Sequence, residues 1–275
     1  MTNKTVACII ARTVSSRLPL KVLRDIGNGI SIIDFLIERL KRVQHIHEIY
    51  ICTSNEPVDD ILEDVAKKNK VKIYRGSAYE VIERMLAVGN HENANYLVRI
   101  TGDNPFTATE YIDEQLETME KYNLDYVRLL NAPLGATAEV IRFEALKKCA
   151  GLMDPSESEY MMLFLFEPQR FKCGVLQVME EDTSAYSVTV DTPADFSRTR
   201  TLIEQHTAAG KEATFIHLKE IIGYYRHSTG DLPNGKIVPE GKIKLPGGKE
   251  ITFAEFDQDM KRRINHSTLL ISHAL

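Results

Sequence analysis

The chain has 275 residues, 43% of them apolar, and a formal net charge of −5, enough for one large domain or one domain with an appendage. Mild acidity gives no ground for a nucleic-acid or membrane-surface partner, and no apolar run approaches the ~18 residues of a membrane span. Cys8, Cys52, Cys149 and Cys173 follow no metal or disulfide spacing and Arg12 cuts the first apolar run too short for a secretory signal, so a cytoplasmic location is expected.

TVACIIA at 5–11 is almost continuously apolar and β-branched, which suits a strand covered on both faces of a parallel sheet. A loop carrying Arg12, Ser15, Ser16, Arg17 and Lys21 follows. SIIDFLIERLKRV at 31–43 then sets Ile32, Ile33, Leu36, Ile37, Leu40 and Val43 on one helical face. A strand is expected at 48–53 and a helix after Pro57, with Val58, Ile61, Leu62, Val65 and Ala66 inward. Next come a short strand at 71–74, a helix at 79–88, a strand at 95–101, a helix at 108–122 and a strand at 125–130. Such alternation predicts an α/β domain with a mainly parallel sheet.

The second half is less regular. ATAEVIRFEALKKC reads as a strand entering a helix, and SESEYMMLFLFEPQ as a helix. YSVTVDTPADF reads as a strand that becomes a helix at Thr192, with Pro193 in the first turn and Asp195 completing a capping box. From His227 onward Gly and Pro recur. Asn-Gly at 234–235 and Gly-Gly at 247–248 signal hairpins, and AEFDQDMKRRIN a closing helix. The expected division is a domain over 1–226 and a small appendage over 227–275, which could mediate a homodimer.

In parallel sheets ligands bind beyond the carboxyl ends of the strands. That singles out the segments 12–21, 53–55, 75–77 and 101–104. The first has hydroxyls to hydrogen-bond phosphate oxygens and cations to supply charge, but no glycine, so it is neither a Walker loop nor a dinucleotide fingerprint. Charge content alone leaves a solvated surface loop equally open. Asp103 reads either as a metal ligand or as a turn residue, and Asp191 either as a ligand or as a residue preceding a cap.

IIARTVSSRLPLK at 9–21 resembles the N-terminal signature A-R-x-x-S-x-R-L-P-x-K of the cytidylyltransferases, the group that includes the CMP-Kdo and CMP-sialic acid synthetases, and is most similar to the SpsF-type spore-coat branch. YRGSAYEVIERM at 74–85, VRITGDNPF at 98–106 and VTVDTPADF at 188–196 resemble further segments of that branch, in the same order. The resemblance implies a Rossmann-like nucleotide-diphospho-sugar transferase (GT-A-like) fold. It also implies that CMP passes from CTP to a small-molecule acceptor, with Mg²⁺ and loss of pyrophosphate, in cell-surface polysaccharide synthesis. It implies Asp103 and Asp191 as metal ligands, and Arg12 and Lys21 as catalytic contacts to the triphosphate. Ala11, Ser15, Ser16, Arg17, Arg75, Gly76, Ser77, Arg99, Thr101 and Gly102 are the remaining nucleotide-site residues. An isolated charge at Arg99 would be costly unless paired, so it needs a carboxylate or the nucleotide.

Departures are few in the nucleotide half: Val14 and Leu20 stand where glycine is usual. In the expected acceptor half Thr137 replaces Asp, and Tyr160, Met162 and Leu163 replace His, Thr and Pro. These changes and the hairpin tail motivate one alternative, a non-catalytic nucleotide-binding subunit; a GT-A-type glycosyltransferase is another, although it would want a D-x-D pair where GDN offers a single carboxylate. The acceptor is therefore left as a sugar, an acidic sugar or a phosphorylated compound.

Overall fold

Runs of β-branched residues that alternate with amphipathic segments can bury themselves only as a sheet with helices on both faces. A computed structural model, which describes residues 3–227, 242–245 and 248–273, has that form. The strands are β1 (Thr5–Ile10), β2 (Glu48–Ser54), β3 (Lys72–Gly76), β4 (Tyr96–Thr101), β5 (Tyr126–Leu130), β6 (Glu139–Arg142), β7 (Cys173–Gln177), β8 (Lys242–Lys244), β9 (Glu250–Thr252) and β10 (Thr268–Ile271). Eight of them make one sheet in the order β10-β7-β5-β6-β4-β1-β2-β3. All its pairings are parallel except those of β6, which runs antiparallel to both β4 and β5.

The helices are α1 (Ile32–Leu40), α2 (Ile61–Asn69), α3 (Val81–Glu92), α4 (Ile112–Lys121), α5 (Phe143–Ala150), α6 (Met161–Leu165), α7 (Pro193–Ala208), α8 (Leu218–His227) and α9 (Phe253–Asn265). One core holds Ile9, Phe35, Val98 and Leu202, the other Cys8, Tyr126, Met85 and Leu146, so alternate residues of each strand feed opposite faces. The four cysteines are buried and free. Among the described residues no helix is long and apolar enough to cross a membrane.

The expected mainly parallel α/β fold is thus present, with β6 as the antiparallel exception. A strand was expected at 186–190, but the segment makes only an isolated bridge, Leu134 with Ser187. Its backbone is spent on loops instead: Val188 N–H bonds Leu134 O at 2.9 Å and Val190 N–H bonds Asp103 O at 3.2 Å. The strands β7 and β10 and the helix α8 were not anticipated. Beyond residue 227, β8 and β9 pair antiparallel across the Gly-Gly signal, while Asn234, Gly235 and Gly247 lie outside the described residues. α9 docks through Arg263, whose guanidinium donates to Leu163 O at 2.8 Å and Phe166 O at 2.5 Å. The chain then adds β10 beside β7.

From β1 the sheet grows through β2 to β3 in one direction and then resumes with β4 on the other side of β1. The crevice beyond the carboxyl ends of β1 and β4 is therefore where a ligand is expected.

Candidate functional site

Two loops meet at that crevice. Gly102 N–H bonds Ile10 O at 2.8 Å, and a Cβ on Gly102 would lie 2.8 Å from the Cβ of Ala11. Only a residue without a side chain allows this approach. Asp103 follows at once, and its carbonyl holds Val190, which brings Asp191 alongside. The cap of α7 fixes Asp191 further: the Asp195 carboxylate accepts from Asp191 N at 3.1 Å and Thr192 N at 2.9 Å. Thr192 Oγ1 in turn accepts from Asp195 N, so the expected capping box is present.

The cationic loop closes the third side. Leu20 is left-handed, with φ 55°, and starts the single turn Lys21–Leu23. This turn swings Lys21 inward. Its ammonium donates to Asp103 Oδ2 and, at 2.9 Å, to Asp191 Oδ1, while Arg17 pairs with the same Asp191 oxygen at 3.0 Å. Burial would lower the pKa of Lys21, but the charges and hydrogen bonds of Asp103 and then Asp191 outweigh it and leave the net shift upward. Lys21 is thus a fixed cation at neutral pH.

The remaining predicted residues divide by partner. Arg12 bonds Ala78 O at 3.3 Å, leaning toward the segment after β3. Ser15 Oγ accepts from Leu18 N at 3.3 Å and so shapes the turn, and Ser16 is exposed on the loop. Thr101 Oγ1 accepts from the Asn104 amide. Ser77 Oγ accepts weakly from Tyr79 N at 3.4 Å. Arg99 finds the carboxylate it needs in Glu139. Burial works against its charge, but Glu139 more than compensates and raises its pKa. Arg75 stands apart from the Lys21 cluster. Its guanidinium pairs with Asp60 and Glu63, both at 2.5 Å, and with the carbonyls of Ser54 and Glu56. Gly76 lies against Arg84, whose Cγ would be 2.9 Å from an added Cβ.

Sequence reading missed three residues. Asp59, in the VDD run after β2, receives Thr13 N at 2.7 Å, Thr13 Oγ1 at 2.6 Å and the Ser54 hydroxyl. Burial opposes its charge, but these donors win and hold the carboxyl below its usual range. It anchors the base of the cationic loop. Arg84, within the segment YRGSAYEVIERM, is 1% exposed and bonds Cys52 O at 2.8 Å. Arg128 on β5 lies inside a run that reads only as strand. Among the described residues no group of three or more His, Cys, Asp or Glu could hold a metal. Two carboxylates converge on one cation position at Lys21 Nζ, which fits Mg²⁺, since that ion takes one or two carboxylates and fills its other positions with phosphates and water.

Comparison with known proteins finds one family. The family model described as cytidylyltransferase matches residues 6–209. A protein of Methanocaldococcus jannaschii that is itself uncharacterised is 34% identical over 70% of this chain and 80% of its own length. The spore coat polysaccharide biosynthesis protein SpsF of Bacillus subtilis is 29% identical over 74% of this chain and 88% of its own. Among solved structures, a cytidylyltransferase from Leptospira borgpetersenii superposes with a TM-score of 0.72 at 25% identity, covering 82% of this chain and 94% of that one.

Proposed function

The chain belongs to the cytidylyltransferase family, and from that premise we propose that it is a Mg²⁺-dependent enzyme that transfers CMP from CTP to a sugar, an acidic sugar or a phosphorylated acceptor. The product would be a precursor of a cell-surface polysaccharide, a reading supported by the likeness to SpsF. The observation that carries it is the convergence of Lys21, Asp103 and Asp191 from three distant parts of the chain onto the β1/β4 crevice.

An acceptor oxygen forms a bond to the α-phosphorus, and the bond to the bridging oxygen breaks with its electron pair leaving on pyrophosphate. The negative charges of both reactants oppose this approach. Asp103 and Asp191 would hold Mg²⁺, which supplies Lewis-acid stabilisation of phosphoryl oxygens when bound. Lys21 and Arg12 would stabilise charge that accumulates on the departing pyrophosphate. Arg17, on the exposed rim, would screen the triphosphate, and Thr101 and Gly102 would line the crevice floor. Arg75 would act through the shape of the segment that ends in Gly76 and Ser77, because its own charge is matched by Asp60 and Glu63.

The test is thermal unfolding with CTP, UTP, ATP and GTP, with and without Mg²⁺, followed by pyrophosphate release with candidate acceptors. A ligand that binds only the folded state raises the melting temperature by mass action. A Mg²⁺-dependent shift with CTP, lost together with turnover in Asp103→Ala, is expected. No shift with any triphosphate would overturn the reading.

A further inference from the structure

Arg128 of β5 is half-buried, yet among the described residues it has no carboxylate partner. Its guanidinium lies 5.3 Å from the centre of the Phe166 ring and touches Met162 Sδ at 3.5 Å. Both are weak substitutes for an oxygen anion. The carboxylate that the strand register sets beside it is already committed. Glu139 takes Arg99 through one oxygen and the Tyr126 hydroxyl, at 2.6 Å, through the other.

Register places these groups in one row. Arg99 of β4 is paired with Glu139 of β6. The β6 register that sets Val127 against Val140 brings Arg128 level with Glu139. The row crosses two strand spacings, about 10 Å, and begins four residues before Asp103. It holds two guanidiniums and one carboxylate. Arg99 Nε is buried without a hydrogen-bond acceptor, so a second donor on the row is unspent. Nearby Tyr126, Phe166 and Met162 give the row a wall of low polarity, with Tyr126 and Phe166 ring centres 5.8 Å apart. An excess positive charge against such a wall is costly unless an anion completes it.

Resting on the cytidylyltransferase reading, we infer that Arg128 is a specificity-determining residue that binds an anionic group of the acceptor, a carboxylate or a phosphate, away from the reacting oxygen. The row runs over β4, β6 and β5, whereas the cationic loop follows β1 on the other side of β4, so its anion is assigned to the acceptor rather than to the triphosphate. Glu139 and Tyr126 hold Arg99 in place. The thioether and ring contacts of Arg128 leave guanidinium donors available for the fork geometry that planar oxyanions favour.

The experiment follows arginine side-chain Nε–H resonances of the full-length protein saturated with CTP and Mg²⁺. Inorganic phosphate is titrated in one arm and acetate in the other. The Arg128 signal is identified by its loss in Arg128→Lys. A saturable shift of the Arg128 resonance is expected in the wild type; in the variants binding is read from the Arg99 Nε–H resonance on the same row, with affinity falling about tenfold to a hundredfold in Arg128→Met and less in Arg128→Lys, which keeps the charge. Phosphate alone would mark a phosphorylated acceptor, and acetate an acidic one. If CTP binds but neither anion moves the resonance, or if Arg128→Met and Arg128→Lys both bind the anion as the wild type does, the inference is wrong. If CTP itself fails to bind, the cytidylyltransferase reading falls and takes the inference with it.

Discussion

The Lys21 ammonium contacts Asp191 Oδ1 at 2.9 Å across 170 positions of sequence. Asp103 shares the same ammonium, so on the proposed reading one flexible side chain stands where the two carboxylates would hold Mg²⁺. Lysine and metal would then compete. Removing the lysine leaves the carboxylates repelling each other and open to Mg²⁺. Lys21→Ala is expected to lower the melting temperature and to show a larger Mg²⁺-induced rise than the wild type, while losing affinity for CTP more than for CMP. An equal Mg²⁺ response in both proteins would separate Lys21 from the metal site. Because the pKa of Lys21 is raised above 10.5, its contribution is full throughout the neutral range and is lost only as pH climbs through that raised value.

Asp59 gives the opposite pH signature. Its carboxyl is held below 3.8 by the donors of Thr13 and Ser54. The stability it adds is therefore present above that pH and disappears as pH falls through the folded value. Asp59→Asn keeps one acceptor oxygen and turns the other into an NH2 donor, so the charge and one of the acceptors that meet Thr13 and the Ser54 hydroxyl are lost. A loss of about 1–3 kcal/mol at neutral pH is expected, shrinking toward zero in strong acid, as read by urea unfolding at several pH values. The KM for CTP should rise because the neutral amide anchors Thr13 and the cationic loop less firmly.

Gly102 and Ala11 test the crevice itself. Gly102→Ala places two methyl carbons 2.8 Å apart, which forces the β1 and β4 loops to separate. Destabilisation of about 1–3 kcal/mol is expected, together with weakened CTP binding in calorimetry. Adding Ala11→Gly removes the opposing methyl and should restore both. Failure of that rescue would show that the clash lies elsewhere.

Leu20 carries a local cost. A left-handed residue other than glycine loses about 1–2 kcal/mol, and Leu20 is 49% exposed, so little burial offsets it. Leu20→Gly also frees the unfolded chain, which returns part of the gain. The variant is expected to lie between neutral and about 1 kcal/mol more stable, and Leu20→Val to be clearly less stable. The measurement is the midpoint of urea unfolding.

Much of this was legible in the residues. The β-branched runs and amphipathic helices report their own burial, so β1 to β4 and α1 to α4 emerge from periodicity. The Thr192 box reports a helix start because its hydrogen bonds span only three residues. What stayed hidden depends on contacts between distant segments. The extended stretch 186–190 has strand-like composition, but the carbonyls available to it belong to loops. Lys21 reads as a loop cation, and nothing local reveals that Asp103 and Asp191 enclose it. Arg75 lies in a motif that suggests a ligand, yet Asp60 and Glu63 of the neighbouring turn and helix claim it. Asp59 and Arg128 carry no pattern at all.

The placement of β10 has a consequence for biosynthesis. Thr268 pairs with Gly174 and Ile271 with Gln177, so β7 waits for a partner made long after it. Chains grow at roughly 5–20 residues per second, and during that interval a nascent protein presents β7 as an unprotected border. Open borders of this kind recruit strands from other molecules. The strands beside the crevice, β1 and β4, have their partners well before then. The half built on β1 to β4 can assemble on the ribosome while the far margin is still vulnerable to aggregation, and a chain interrupted before residue 268 would keep that margin permanently exposed.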